Sequence, residues 1–213
     1  MGKEKRQIIK GEYHHVFNKT IAGFKVFNNE FDYKRMIEII DFYRIKQKYS
    51  FSTYNDRGHK DETYKNSSQK DKQVEVYAYC IMPTHFHFLL KEIIKNGISE
   101  FMGKIQKSYA TYFNNKYKRK GPLWQGRYKN VKVSTDEQLY YLTQYIHLNP
   151  VKATLVKDPF DWVMSSCRDF LVEKKDVQII DSFNKVLDIS SKEYKKEIKS
   201  FKDSLVLNTI LLD

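Results

Sequence analysis

The sequence predicts an α+β fold: a ferredoxin-like, split β-α-β-β-α-β antiparallel sheet, followed by an additional helix and a helical C-terminal extension. Three observations predict it. Runs of β-forming residues and amphipathic helical stretches alternate in that order. The two middle β-runs sit directly on either side of the turn Met82-Pro83-Thr84. The chain has 213 residues with 41% hydrophobic and 15% aromatic content, enough for one buried domain plus an extension.

Tyr13 to Phe27 is rich in Val, Ile, Phe and Thr and reads as a first strand with a break near Gly23. Asp32 reads as the N-cap of a helix reaching about Gln47, with Met36, Ile39, Ile40 and Tyr43 at helical spacing. The polar stretch 53–72 reads as a mobile loop. Val74 to Ile81 and His85 to Lys91 read as paired strands. Ile98, Phe101, Met102, Ile105, Tyr109, Tyr112 and Phe113 mark a long amphipathic helix, stopped by Gly121-Pro122. Arg127 to Val133 is the fourth strand, and Ser134-Thr135-Asp136-Glu137 starts a helix toward Asn149.

Residues 1–170 form one unit in this reading, and 171–213 form a helical extension. The extension holds eight Lys and eight acidic residues, so the net charge of +12 resides in the preceding unit. In it, Ser190 and Glu193 fit a capping box, and Tyr194, Ile198, Phe201 and Leu205 continue one apolar stripe. The basic balance suits a polyanionic partner such as nucleic acid, although a solvated lysine face gives the same number. Two cysteines, Cys80 and Cys167, exclude a disulfide framework and a four-cysteine zinc site. The opening MGKEKRQIIKGEY has no apolar signal region, and no stretch approaches a membrane-spanning length, so the expectation is a soluble, cytoplasmic protein.

On a strand, residues two apart share a face. His85 and His87 therefore project together, while Phe86, Phe88 and Leu90 point into the layer beneath the sheet helices. The histidines then lie on the opposite, helix-free face, where a metal could meet a substrate. Two histidines decorating a half-exposed strand is the alternative.

Tyr145 and Asn149 are one helical turn apart and share a face. A phenol has a free pKa of about 10, so attack on phosphorus calls for a nearby cation. Asn149 offers an amide oxygen for such a cation. It also precedes Pro150, and Asn-Pro is a good start for a separate short helix, so cap and ligand both stand. His147 falls on a different face and is the weaker ligand candidate.

His-Phe-His after Met-Pro-Thr, then LWQGRYK, then YIHLNPVKA, in this order, resembles the HUH single-strand transposases. Within them it is most similar to the REP-associated tyrosine transposase branch, over roughly residues 10–170. The resemblance implies a ferredoxin-like fold with a catalytic helix, Tyr145 as nucleophile, and His85, His87 and Asn149 as ligands of Mg²⁺ or Mn²⁺. Other single-tyrosine transposases carry glutamine at the position of Asn149. It further implies cleavage and rejoining of single-stranded, hairpin-forming DNA through a 5′-phosphotyrosine, with a homodimer left open. A replication-initiating nickase would share the chemistry, and a catalytically silent nucleic-acid-binding module would need only the basic surface.

From Phe101 to Val133 there are nine basic residues and no acidic one, interleaved with aromatics. Such a mixture suits a single strand, with cations on phosphates and rings on bases. Lys118, Arg119, Lys120, Trp124 and Arg127 are the expected DNA contacts, whereas Tyr109 and Tyr112 lie on the apolar helix face.

Overall fold

The computed structural model describes residues 8–56, 72–171, 180–181 and 189–210, with side chains of the last helix described through Lys202. The elements are β1 (Tyr13–Lys19), α1 (Glu30–Tyr43), α2 (Phe51–Asp56), β2 (Val74–Met82), β3 (His85–Glu92), α3 (Gly97–Lys116), β4 (Lys129–Val133), α4 (Asp136–Lys152) and α5 (Ser191–Ile210). The four strands form one antiparallel sheet in the order β2-β3-β1-β4. The expected ferredoxin-like fold is the one observed.

Period-2 alternation along the strands divides the interior into two layers. Val16, Phe86, Phe88 and Leu90 pack with α1 and α3 residues such as Met36, Ile40, Phe101 and Ile105. On the other face, Leu89, Ala78, Cys80 and Met82 pack with Leu139 and Ile146 of α4. A register shift between Val76 and Ala78 leaves Tyr77 on the α4 side beside Ala78.

Several local expectations change. The first strand ends at Lys19 rather than Phe27, because Ala22 and Gly23 take left-handed φ values of 51° and 68° and turn the chain away. Asp32 is not the cap of α1. Asn29 is, accepting from the Asp32 amide at 3.2 Å, and α1 stops at Tyr43. The Asp32 side chain is buried, where it accepts from Lys116, Tyr112, Tyr117 and the Asn28 amide. The loop expected over 53–72 is entered by α2, and residues 57–71 of it lie outside the described residues. The fourth strand starts at Lys129, two residues later than read.

Two helix starts set the geometry around the sheet. At α3, the buried Glu92 carboxylate accepts from the Asn96 and Ile98 amides at 3.0 and 3.1 Å, and so ties β3 directly to the helix. Gly97 allows this join, since a Cβ there would lie 2.2 Å from the Gln73 carbonyl oxygen. At α4, Thr135 Oγ1 accepts from the Gln138 amide, and Gln138 Oε1 accepts from the Ser134 amide.

The α4 helix runs through Asn149 and Pro150 without a break, so Asn149 does not cap a separate helix. Pro150 deprives the Ile146 carbonyl of its usual amide partner. Asn149 Nδ2 stands in, 3.5 Å from that oxygen and 2.8 Å from the Tyr145 carbonyl. In α5 the expected capping box forms between Ser190 and Glu193, and Tyr194 and Ile198 enter the main core. No helix among the described residues is long and apolar enough to cross a membrane.

Candidate active site

The site is built on the face that β1 and β3 share. In their antiparallel register Phe17 lies opposite His87, and Lys19 opposite His85. The Phe17 and His87 rings stack at 5.7 Å, and the His85 and His87 rings meet edge-on at 5.2 Å. Each histidine is held by its Nδ1: His85 by Thr84 Oγ1 at 3.0 Å and His87 by His15 Nε2 at 2.9 Å. Fixing one ring nitrogen orients the other, which is how metal-binding imidazoles are commonly set. Burial lowers the pKa of His87 to about 3 and of His15 to about 4, and that of His85 also falls. All three rings are therefore neutral at pH 7, so His85 and His87 each keep a lone pair on a ring nitrogen.

This face is not helix-free as expected, for α4 lies across it. Leu139 and Ile146 pack onto the sheet, and the neighbouring Tyr145 turns its ring edge to His87 at 5.9 Å and to His15 at 6.1 Å. Asn149, one turn on, is buried and uses its amide nitrogen on helix carbonyls, so its Oδ1 makes no hydrogen bond among the described residues. The Lys152 ammonium sits 4.5 Å from the Tyr145 ring centre, and burial lowers its pKa. Two imidazoles and an amide oxygen suit a hard divalent cation with positions left open for substrate oxygens. Among the described residues no group of three His, Cys, Asp or Glu side chains could hold a metal, so a metal at this site would have to take a third ligand of another type.

His147 is elsewhere in function. Its ring is wholly buried between α5 and the turn Ser166–Phe170, 2.5 Å from Tyr194 Oη and 2.7 Å from Ser166 Oγ.

A family model described as "Transposase IS200 like" matches residues 43–149, about half of the chain and including the histidine pair, Tyr145 and Asn149. The chain belongs to the IS200-like transposase family. A Haemophilus influenzae protein described as a REP-associated tyrosine transposase is 30% identical over 103 residues, which cover 43% of this chain and 58% of that relative. The chain therefore aligns with little more than half of that relative's length. A solved REP-associated tyrosine transposase bound to a REP hairpin shares the fold, with a TM-score of 0.56 and 18% identity over 90% of this chain and 96% of that one.

For an IS200-like transposase the basic segment matters next, and its expected members separate. Trp124 is 8% exposed, packed on Phe86 and Tyr109, with its indole N–H donating to the Gln106 carbonyl at 3.0 Å. It has no ring face for a base, so its expected DNA contact is withdrawn. Arg119 donates to Asn114 Oδ1 and to the Gly121 and Pro122 carbonyls, which closes the turn after α3. Lys118, Lys120 and Arg127 are exposed.

Sequence reasoning missed His15 and Lys152. His15 had a signal: it sits two residues before Phe17 on a strand, hence on one face with it. Lys152 is seven residues after Tyr145, two helical turns along the same face.

Proposed function

We propose that this transposase cuts and rejoins single-stranded DNA through a covalent bond between Tyr145 and a 5′ phosphate. The observation that carries this reading is the approach of the Tyr145 ring to His87, 5.9 Å between ring centres, on a sheet face held apart from the main core. A divalent cation, Mg²⁺ or Mn²⁺, bound by His85, His87 and Asn149 Oδ1 would supply Lewis-acid polarisation of the scissile phosphate. His15 and Thr84 fix the two imidazoles, and Asn149 stays anchored through its nitrogen. The Lys152 ammonium lies over the Tyr145 ring, 4.5 Å from its centre, and adds positive charge to the site where a phosphate would be drawn in.

In the first step the Tyr145 Oη–P bond forms and the P–O3′ bond breaks. The phenol proton ends on the departing 3′ oxygen, leaving a free hydroxyl. A second 3′ hydroxyl then attacks the phosphotyrosine, restores the phosphodiester and returns the proton to Tyr145. Lys118, Lys120 and Arg127 lie exposed for phosphate contact, with Arg119 holding their turn. A hairpin-forming strand is the proposed substrate, by analogy with the relative solved on a hairpin. Residues 1–170 carry the nuclease in this reading, 171–213 form its extension, and the setting is cytoplasmic.

The test is incubation with labelled single-stranded hairpin DNA and Mn²⁺, followed by denaturing electrophoresis. A covalent adduct should form, vanish on chelation, and be absent from Tyr145→Phe while DNA binding persists. An adduct surviving Tyr145→Phe would refute the assignment. Tight binding with no adduct on any strand would favour a silent binding module.

A further inference from the structure

Away from the histidine face, aromatic and basic groups gather where β1 ends and α3 ends. Ala22 and Gly23 are consecutive left-handed residues, a conformation that is strained for Ala22. The turn is locked by Thr20 Oγ1 donating to the Phe24 carbonyl at 2.6 Å and by the Phe24 amide donating to Ile21 O at 3.0 Å. It carries Phe24 outward, 48% exposed.

Phe24 begins a row of rings. It meets the buried Phe113 edge-on at 6.1 Å, and Phe113 lies 4.5 Å from Tyr117, which is 38% exposed. The Tyr117 hydroxyl donates to Asp32 and accepts from Asn29 Nδ2 at 3.1 Å, so its ring is fixed. The Arg119 guanidinium sits 5.4 Å from the Phe24 ring centre, and Lys118 and Lys120 flank it exposed. Asp32 is already matched by Lys116, and no other carboxylate occurs between Phe101 and Val133 or in 13–29.

We propose that Phe24 and Tyr117 form a stacking platform for an unpaired base of single-stranded DNA, with Lys118, Arg119 and Lys120 on the adjoining phosphates. Rings supply a sequence-tolerant surface for bases, and the clustered cations answer the phosphate charge. The platform replaces Trp124, whose ring is buried. It is also joined to the active site: the Thr20 amide donates to the Thr84 carbonyl at 2.9 Å, and Thr84 Oγ1 holds His85. The proposal rests on the single-strand reading above.

Binding is measured by fluorescence anisotropy in the Tyr145→Phe background, so the outcome is readable whether or not Tyr145 is the nucleophile. Phe24→Ala should weaken binding of a short single-stranded oligonucleotide by about 5- to 100-fold. Phe24→Trp should bind normally, with indole fluorescence quenched by the DNA. An abasic site walked along the oligonucleotide should weaken binding at one position in the Phe24 protein and not in Phe24→Ala. Unchanged affinity of Phe24→Ala, the same abasic sensitivity in both proteins, or equal binding of a blunt duplex would each overturn the platform.

Discussion

His15 Nε2 lies 2.9 Å from His87 Nδ1, joining two strands whose residues are 72 positions apart in the chain. This contact engages Nδ1 and fixes the His87 ring, leaving Nε2 as its remaining nitrogen. His15→Ala should therefore lower apparent metal affinity by about 10- to 100-fold. A Mn²⁺ titration of adduct formation would show it as a rightward shift that excess metal restores. Loss of activity that metal does not restore would mean that His15 does more than orient His87.

Asp32 gives a pH prediction. Burial alone would raise its pKa, but Lys116, the Tyr117 hydroxyl, the Asn28 amide and the Tyr112 hydroxyl together hold the carboxyl below its usual range. A carboxylate whose pKa is lower folded than unfolded stabilises fully above the unfolded value of about 3.9 and loses that contribution as pH falls through the folded one. Thermal stability should fall on acidification below about pH 4. Asp32→Asn should remove part of that slope and cost roughly 1.5–3 kcal/mol at neutral pH, measured by denaturant unfolding.

At Gly97, α3 lies close against the backbone of the segment before β2. A methyl group there meets the Gln73 carbonyl oxygen at 2.2 Å, which is backbone and cannot swing aside. Gly97→Ala should cost about 1–3 kcal/mol despite its gain in helix propensity. Stability equal to the parent would show that the β3–α3 join yields easily.

His147 and Tyr194 predict a purely structural effect. Ser166 Oγ accepts from the Tyr79 amide and donates to the Tyr79 carbonyl, so the 2.7 Å contact requires His147 Nε2 to donate. His147 Nδ1 must then accept from the Tyr194 hydroxyl. Tyr194→Phe leaves that buried nitrogen without its donor and should cost about 1–3 kcal/mol. Adduct yield per folded molecule should not change; a specific loss of activity would tie α5 to catalysis.

Local chemistry was legible in the sequence. Alternation in His-Phe-His-Phe put the histidines and phenylalanines on opposite faces, and the Thr135 and Ser190 caps formed where their spacing placed them. The same local logic failed at Asp32, which has a capping residue's chemistry but sits at the third helical position, where burial against Lys116 and Tyr117 claims its side chain. Trp124 failed for a like reason: an aromatic among lysines reads as a DNA contact until the packing of Phe86 and Tyr109 around it is known.

By itself the sequence determined the element order, the shared face of His85 and His87, and the turn of helix joining Tyr145 to Asn149, because periods of 2 and 3.6 residues are fixed by backbone geometry. Only the tertiary structure decided that His15 reaches His87, that α4 lies over the same face, and that Phe24 rather than Trp124 meets solvent. Those depend on strand register and on which surfaces are buried, and both are settled by contacts between residues far apart in the chain.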